Sequence, residues 1–141
     1  MNTENSPRVH WSFWAIGAIS LVWNVLSVVN FVVQMNPAML EMYRESERVI
    51  VEGRPTWATA MFAVAALAGT LGSVALLVRR SVATILFSVS LVGVIGTMIH
   101  SLSAGIQFSL GEVLGIILMP LLVPAFLIRY AGHARRKGWL K

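Results

Sequence analysis

The residues best suited to chemistry in this chain are uncharged and sit inside apolar runs. Ser20, Asn24, Ser27 and Gln34 fall at i, i+4, i+7 and i+14, one face of a helix, with Asn30 beside them. Asn24 lies about 11 residues, or ~16 Å of helix rise, from the start of its run at Phe13. Trp23 is next to it, deeper than an interfacial anchor. Pro120 and Pro124 interrupt a later run. Each proline lacks an N–H and frees a carbonyl four residues back, at Ile116 and Pro120. An Asn amide can donate to a freed carbonyl or to a ligand hydroxyl. Trp23, Asn24, Ser27 and Pro120 are therefore the candidate substrate-binding residues, at the depth where transporters place sites on broken helices. The plainer reading is a hydrogen bond between helices, worth about 1 kcal/mol.

Two ionisable residues also lie near apolar runs, His100 and Glu112. If they met, they would form a proton or gating pair. Ser109 to Glu112 also reads as an S-x-x-E capping box, a structural role for Glu112. Catalysis is not expected. The chain has no Asp and no Cys, and no nucleotide or phosphate loop. His10, His100 and His133 are too scattered for a metal site, and no cofactor spacing is present.

These residues must be positioned by helices in a bilayer. The 141 residues are 57% hydrophobic and 12% charged, about half the usual charged share of a soluble domain. Four stretches have the ~20 apolar residues a span needs: 13–33, 57–78, 82–104 and 110–128. None alternates as a barrel strand would. The fold class expected is an all-α membrane protein, a single domain of four transmembrane helices. The first span is too long for a signal-peptide core and has bulky residues after it, so it is expected to remain as an anchor.

The loop from Gln34 to Thr56 is the long one. Asn36 and Pro37 open a helix, and Gly53 and Pro55 close it. Met39, Met42, Tyr43, Ser46, Val49 and Ile50 share one face of it. The sequence predicts an amphipathic, extracytoplasmic helix over 37–52. It lies on the membrane surface or folds over the bundle mouth, as a connector, a lid or a docking element. Ala65, Gly69 and Ser73, with Ala68 and Gly72, and Gly93, Gly96, His100 and Ser103 form small-residue stripes that let helices approach closely.

Charge gives orientation. Arg8, Arg79, Arg80, Arg129, Arg135, Arg136, Lys137 and Lys141 fall on the side of the termini. Only Arg44, Arg48 and Arg54 fall on the other. Both termini are expected in the cytoplasm, with 129–141 a basic tail. Such a rim meets anionic lipid headgroups. No module for reading nucleic acid is present. Trp11, Phe13, Trp14, Trp57, Tyr130 and Trp139 read as interfacial anchors.

Several segments resemble a known family. They are Leu21-Val-Trp-Asn-Val-Leu-Ser27 with Asn30-Phe31, Arg54-Pro-Thr-Trp-Ala-Thr-Ala60, Gly69-Thr-Leu-Gly72 and Leu76-Leu-Val-Arg-Arg80. To these add Leu86-Phe-Ser-Val-Ser-Leu91, Met119-Pro-Leu-Leu-Val-Pro124 and Lys137-Gly-Trp-Leu140. Together they resemble small bacterial four-span inner-membrane proteins often labelled "sugar transporter". The resemblance implies a bacterial inner membrane, four spans and carriage of a sugar, and it brings no binding residues with it. Two functions remain open. One is an oligomeric transporter of a neutral sugar-like molecule. The other is a non-transporting subunit or scaffold that docks a membrane partner.

Overall fold

An apolar run in lipid must bond every backbone group within itself, and a helix does so. The computed structural model, which describes residues 8–141, accordingly holds four helices long and apolar enough to cross a membrane. They are α1 (Trp11–Gln34), α4 (Thr56–Leu77), α5 (Ala83–Ser103) and α6 (Leu110–Arg136). No strand occurs among the described residues. The chain is an all-α, multi-pass integral membrane protein.

The packing order follows the chain. α1 packs on α4, α4 on α5, and α5 on α6. α4 and α5 bury 44% and 39% of their apolar windows, against 17% for α1 and for α6. The central pair is therefore the spine, and the outer helices turn most of their apolar surface outward, where lipid is its solvent. Glycine explains the tight spine. A Cβ on Gly93 would sit 2.7 Å from the Met61 carbonyl oxygen and 2.8 Å from the Ala65 nitrogen. Ser90 Oγ donates to the Ala65 carbonyl beside it (2.8 Å).

The end that holds the C-terminal tail is closed by a core of Phe13, Leu76, Phe87, Leu127, Ala131 and Leu140. Phe13 meets Tyr130 and Trp139 at ring-centroid distances of 6.4 and 5.9 Å. Two residues expected as interfacial anchors therefore have another job. Phe13 is fully buried, and Trp139 packs onto it. Trp11, Trp14 and Trp57 remain exposed. The tail also differs from a free basic arm. Its first two turns extend α6 to Arg136. Its last residues pair with the α4–α5 turn, through Lys141 N–H to the Arg79 carbonyl (2.7 Å) and Ser81 N–H to the Lys141 carbonyl (2.8 Å). Arg79 Nε donates to the Trp139 carbonyl (2.7 Å). Arg79 takes φ 61° to end α4, and Arg80 N–H reaches back to the Ala75 carbonyl, a Schellman closure made without glycine.

At the opposite end lies the long loop. The expected amphipathic helix is present there, in two pieces: α2 (Pro37–Leu40) and α3 (Glu45–Glu52). Asn36 caps α2 and Gly53 ends α3, as their types suggest. The break between them follows from tertiary bonding. Tyr43 turns back to donate to Asn30 Oδ1 (2.5 Å), and Arg44 is extended. Ile50 is the buried residue of α3, whereas Met42 is 81% exposed. α3 folds over the bundle mouth.

Candidate functional site

A cavity of about 560 Å³ opens at the long-loop end of the bundle. α1 and α6 meet at the tail end through Phe13 and Tyr130, and farther along the cavity lies between them. α4 and α5 form its back wall with Phe62, Ala65, Ala66 and Val94. The lower wall is mostly apolar, with Asn24, Ser27 and Ser90 set into it. The rim carries Asn30, Gln34, Tyr43, Arg44, Glu47 and Arg54.

The fourth span makes room for it. Val113–Leu118 winds as a π-helix, whose hydrogen bonds span one residue more than those of its neighbours, and it ends two residues before Pro120. A proline cannot donate to the carbonyl four residues back, and a widened turn is one way to absorb that loss. Gly115 lies on this segment and lines the cavity, and a Cβ there would meet nothing within 4 Å.

α3 and the residues flanking it close the mouth by bonds to three spans. Tyr43 bonds Asn30, and Arg54 Nη2 donates to Gln34 Oε1 (2.6 Å), both on α1. His100 Nε2 on α5 donates to the Ile50 carbonyl (3.1 Å), which fixes the proton on that nitrogen. Ser46 Oγ donates to Glu112 Oε1 (2.5 Å) on α6.

The four candidate binding residues Trp23, Asn24, Ser27 and Pro120 all line this one cavity. Their roles are not equal. Asn24 does not bond the carbonyls freed on α6. Its amide nitrogen donates to the Ser20 carbonyl (2.9 Å) and to Ser73 Oγ (3.2 Å) on α4. Ser20 and Ser73 hydroxyls bond each other at 2.6 Å, and Gly69 leaves space for the Asn24 carboxamide. All three polar side chains are buried. Asn24 thus belongs to a closed α1–α4 seam whose edge the cavity touches. Ser27 Oγ donates to the Trp23 carbonyl (3.2 Å). His100 and Glu112 are not brought together by a hydrogen bond or ion pair. His100 holds α3 and packs against Trp57, and Glu112 accepts from Ser46, Ser109 N–H (2.8 Å) and Ser109 Oγ (2.8 Å) in a complete capping box.

Arg54 is a site residue that the sequence did not single out: it entered only as a charge for orientation and as the start of the Arg54–Ala60 segment. Its guanidinium lies 5.2 Å from the Phe62 ring centroid. Its Nε and Nη1 are buried and lack any hydrogen-bond partner among the described residues. Burial lowers its pKa from the ordinary arginine value, yet arginine keeps its proton in proteins. The available signal was an arginine placed directly before Pro55 and the second apolar run.

Comparison of the chain with family models, with curated proteins and with solved structures gives no match.

The seam makes a prediction. Asn24→Leu removes the amide from buried hydroxyls and presses a branched side chain toward Gly69. A loss of about 1–2 kcal/mol is expected, read as unfolding in mixed micelles. Unaltered stability would show that the seam carries no weight.

Proposed function

We propose that this protein is a small-molecule transporter of the bilayer, not an enzyme, and that the cavity at its long-loop end is the binding site. One observation carries the reading: all four spans contribute to a single cavity, and the span that widens it is broken by a π-turn and two prolines. Irregular backbone at membrane depth is tolerated where it lines a cavity. α3 and its flanking residues then serve as a cover tied to α1 by two hydrogen bonds and to α5 and α6 by one each, which can open one at a time.

The lysine and arginine distribution supports cytoplasmic termini, with the tail-end rim against anionic headgroups and the cavity mouth on the far side. The family resemblance supports a bacterial inner membrane and makes neutral sugars the first solutes to try. Four spans enclose little volume, which supports a homo-oligomer. The exposed apolar faces of α1 and α6 also suit the second reading, a subunit whose partner helix lies between them.

Counterflow into proteoliposomes tests the two readings. Labelled sugars and small amphiphiles are offered to the folded protein. Transport predicts uptake of at least one class above protein-free vesicles. No uptake, together with a stoichiometric partner retained after mild solubilisation, would replace the transporter reading with the subunit reading.

A further inference from the structure

An arginine with unpaired, buried N–H groups is costly. The ion has left water without gaining a counter-charge. Arg54 is in that position at the cavity rim. Nη2 has Gln34, and the Phe62 ring faces the cation, but Nε and Nη1 have no acceptor. No carboxylate lies within 4 Å of it among the described residues. Two carboxylates do line the same cavity. Glu112 is held by Ser46 and Ser109, and Glu47 is out of ion-pair range. The bidentate edges of a guanidinium are Nε/Nη2 and Nη1/Nη2, so a phosphate or carboxylate oxygen here would take an unpaired Nε–H or Nη1–H beside the Gln34-bound Nη2.

Below Arg54 the cavity changes character. Phe62, Val94, Met98, Ile116 and Pro124 supply an apolar wall. The polar groups at that depth are already engaged. Ser27 and Ser90 donate to backbone carbonyls, and the Asn24 nitrogen is tied into the α1–α4 seam. A polyol would find few free donors there. An alkyl chain would find an apolar slot, reached sideways from the bilayer between α1 and α6.

We propose that the cavity binds an amphipathic anion, with a phosphate- or carboxylate-type headgroup on Arg54 and an alkyl chain along the wall toward Pro124. This deepens the transporter reading and rests on it. Nε and Nη1 are closed to water in the ligand-free protein, so the headgroup pairs them as the cover over the mouth shifts, and the binding energy comes partly from a cost already present. Replacing Arg54 therefore harms binding without harming the fold.

The probe is tritiated dodecyl phosphate, measured at equilibrium on protein in phosphatidylcholine nanodiscs over empty discs. Saturable binding is expected. The neutral analogue 1-dodecylglycerol and inorganic phosphate alone should each bind at least about tenfold more weakly. Arg54→Gln should lower dodecyl phosphate affinity at least about tenfold and leave dodecylglycerol unchanged. Arg54→Lys, which keeps the charge but loses the guanidinium edges, should fall between. Ligand-free Arg54→Gln should melt no lower than wild type. Equal affinity for dodecylglycerol would overturn the anion and leave the cavity as a ligand site. Equal affinity for inorganic phosphate would overturn the alkyl chain and point to a free anion as the source. Dodecyl phosphate binding that survives Gly115→Trp would overturn the placement. Absence of saturable binding by every probe, with folded protein, would overturn this proposal, while the sugar counterflow decides the transporter reading separately.

Discussion

Tryptophan at position 115 fills the cavity and leaves the bundle standing. Gly115 is on the widened turn of α6 and faces the cavity, and a Cβ there meets no atom within 4 Å. An indole carries about 150–250 Å² of surface, which the apolar wall can bury. Removing a glycine from a helix interior also relieves about 0.5–1 kcal/mol of backbone entropy cost. Gly115→Trp should thus unfold at or above the wild-type temperature. Ligand uptake in proteoliposomes should fall at least about tenfold, because the filled volume is no longer free. Few substitutions separate site from scaffold so cleanly. Wild-type uptake by the variant would remove the cavity from the transport path.

Gly93→Val has the opposite character and the largest effect on the fold. Its Cβ would lie 2.7 Å from the Met61 carbonyl oxygen, 2.8 Å from the Ala65 nitrogen and 3.0 Å from the Ala65 Cα. Backbone atoms cannot rotate aside, so α5 must lift from α4. The bond from Ser90 to the Ala65 carbonyl is stretched with it. Overpacking typically costs about 1–3 kcal/mol, and contact with backbone places this case near about 3. Gly96→Ala supplies the comparison. It meets the Met61 side chain, with Cγ at 2.8 Å, and that flexible chain can move. A loss of about 1 kcal/mol is expected there. Unfolding in mixed micelles should rank the two variants in that order. Equal losses would mean that the α4–α5 contact is looser than the glycines imply.

The four spans were legible because lipid imposes one rule on every residue of a run. Local signals read equally well. Asn36 and Pro37 start α2, Gly53 ends α3, and Ser109 and Glu112 form their box. The stripes of glycine and serine on the second and third spans marked real seams, since Gly69, Gly72, Gly93 and Gly96 all face a packed neighbour. Partner choice was not legible. The spacing of Ser20, Asn24 and Ser27 shows a face and not what that face meets. Asn24 turned to Ser73 on α4 because α1 packs on α4, while α6 stands across the cavity. The same limit hid the break at Tyr43, whose bond to Asn30 joins distant turns of chain. It hid the buried place of Phe13 beneath Trp139, and it hid Arg54, whose meaning depends on what fails to reach it.

The central claim is that a ligand-sized space opens beside the polar face of α1 and is reachable from the rim. The chain has no cysteine, so a single introduced thiol reports without background. Ser27→Cys places a thiol on the cavity wall, one turn below Asn30. Val29→Cys places one nearer the loop end of α1, on its outward face, where Val29 is 50% exposed. Both variants are put in nanodiscs and exposed to a charged, membrane-impermeant methanethiosulfonate. The account predicts that the thiol at position 27 reacts, that dodecyl phosphate slows the reaction, and that the thiol at 29 stays inert. A thiol at 27 as inert as the one at 29 would contradict the cavity.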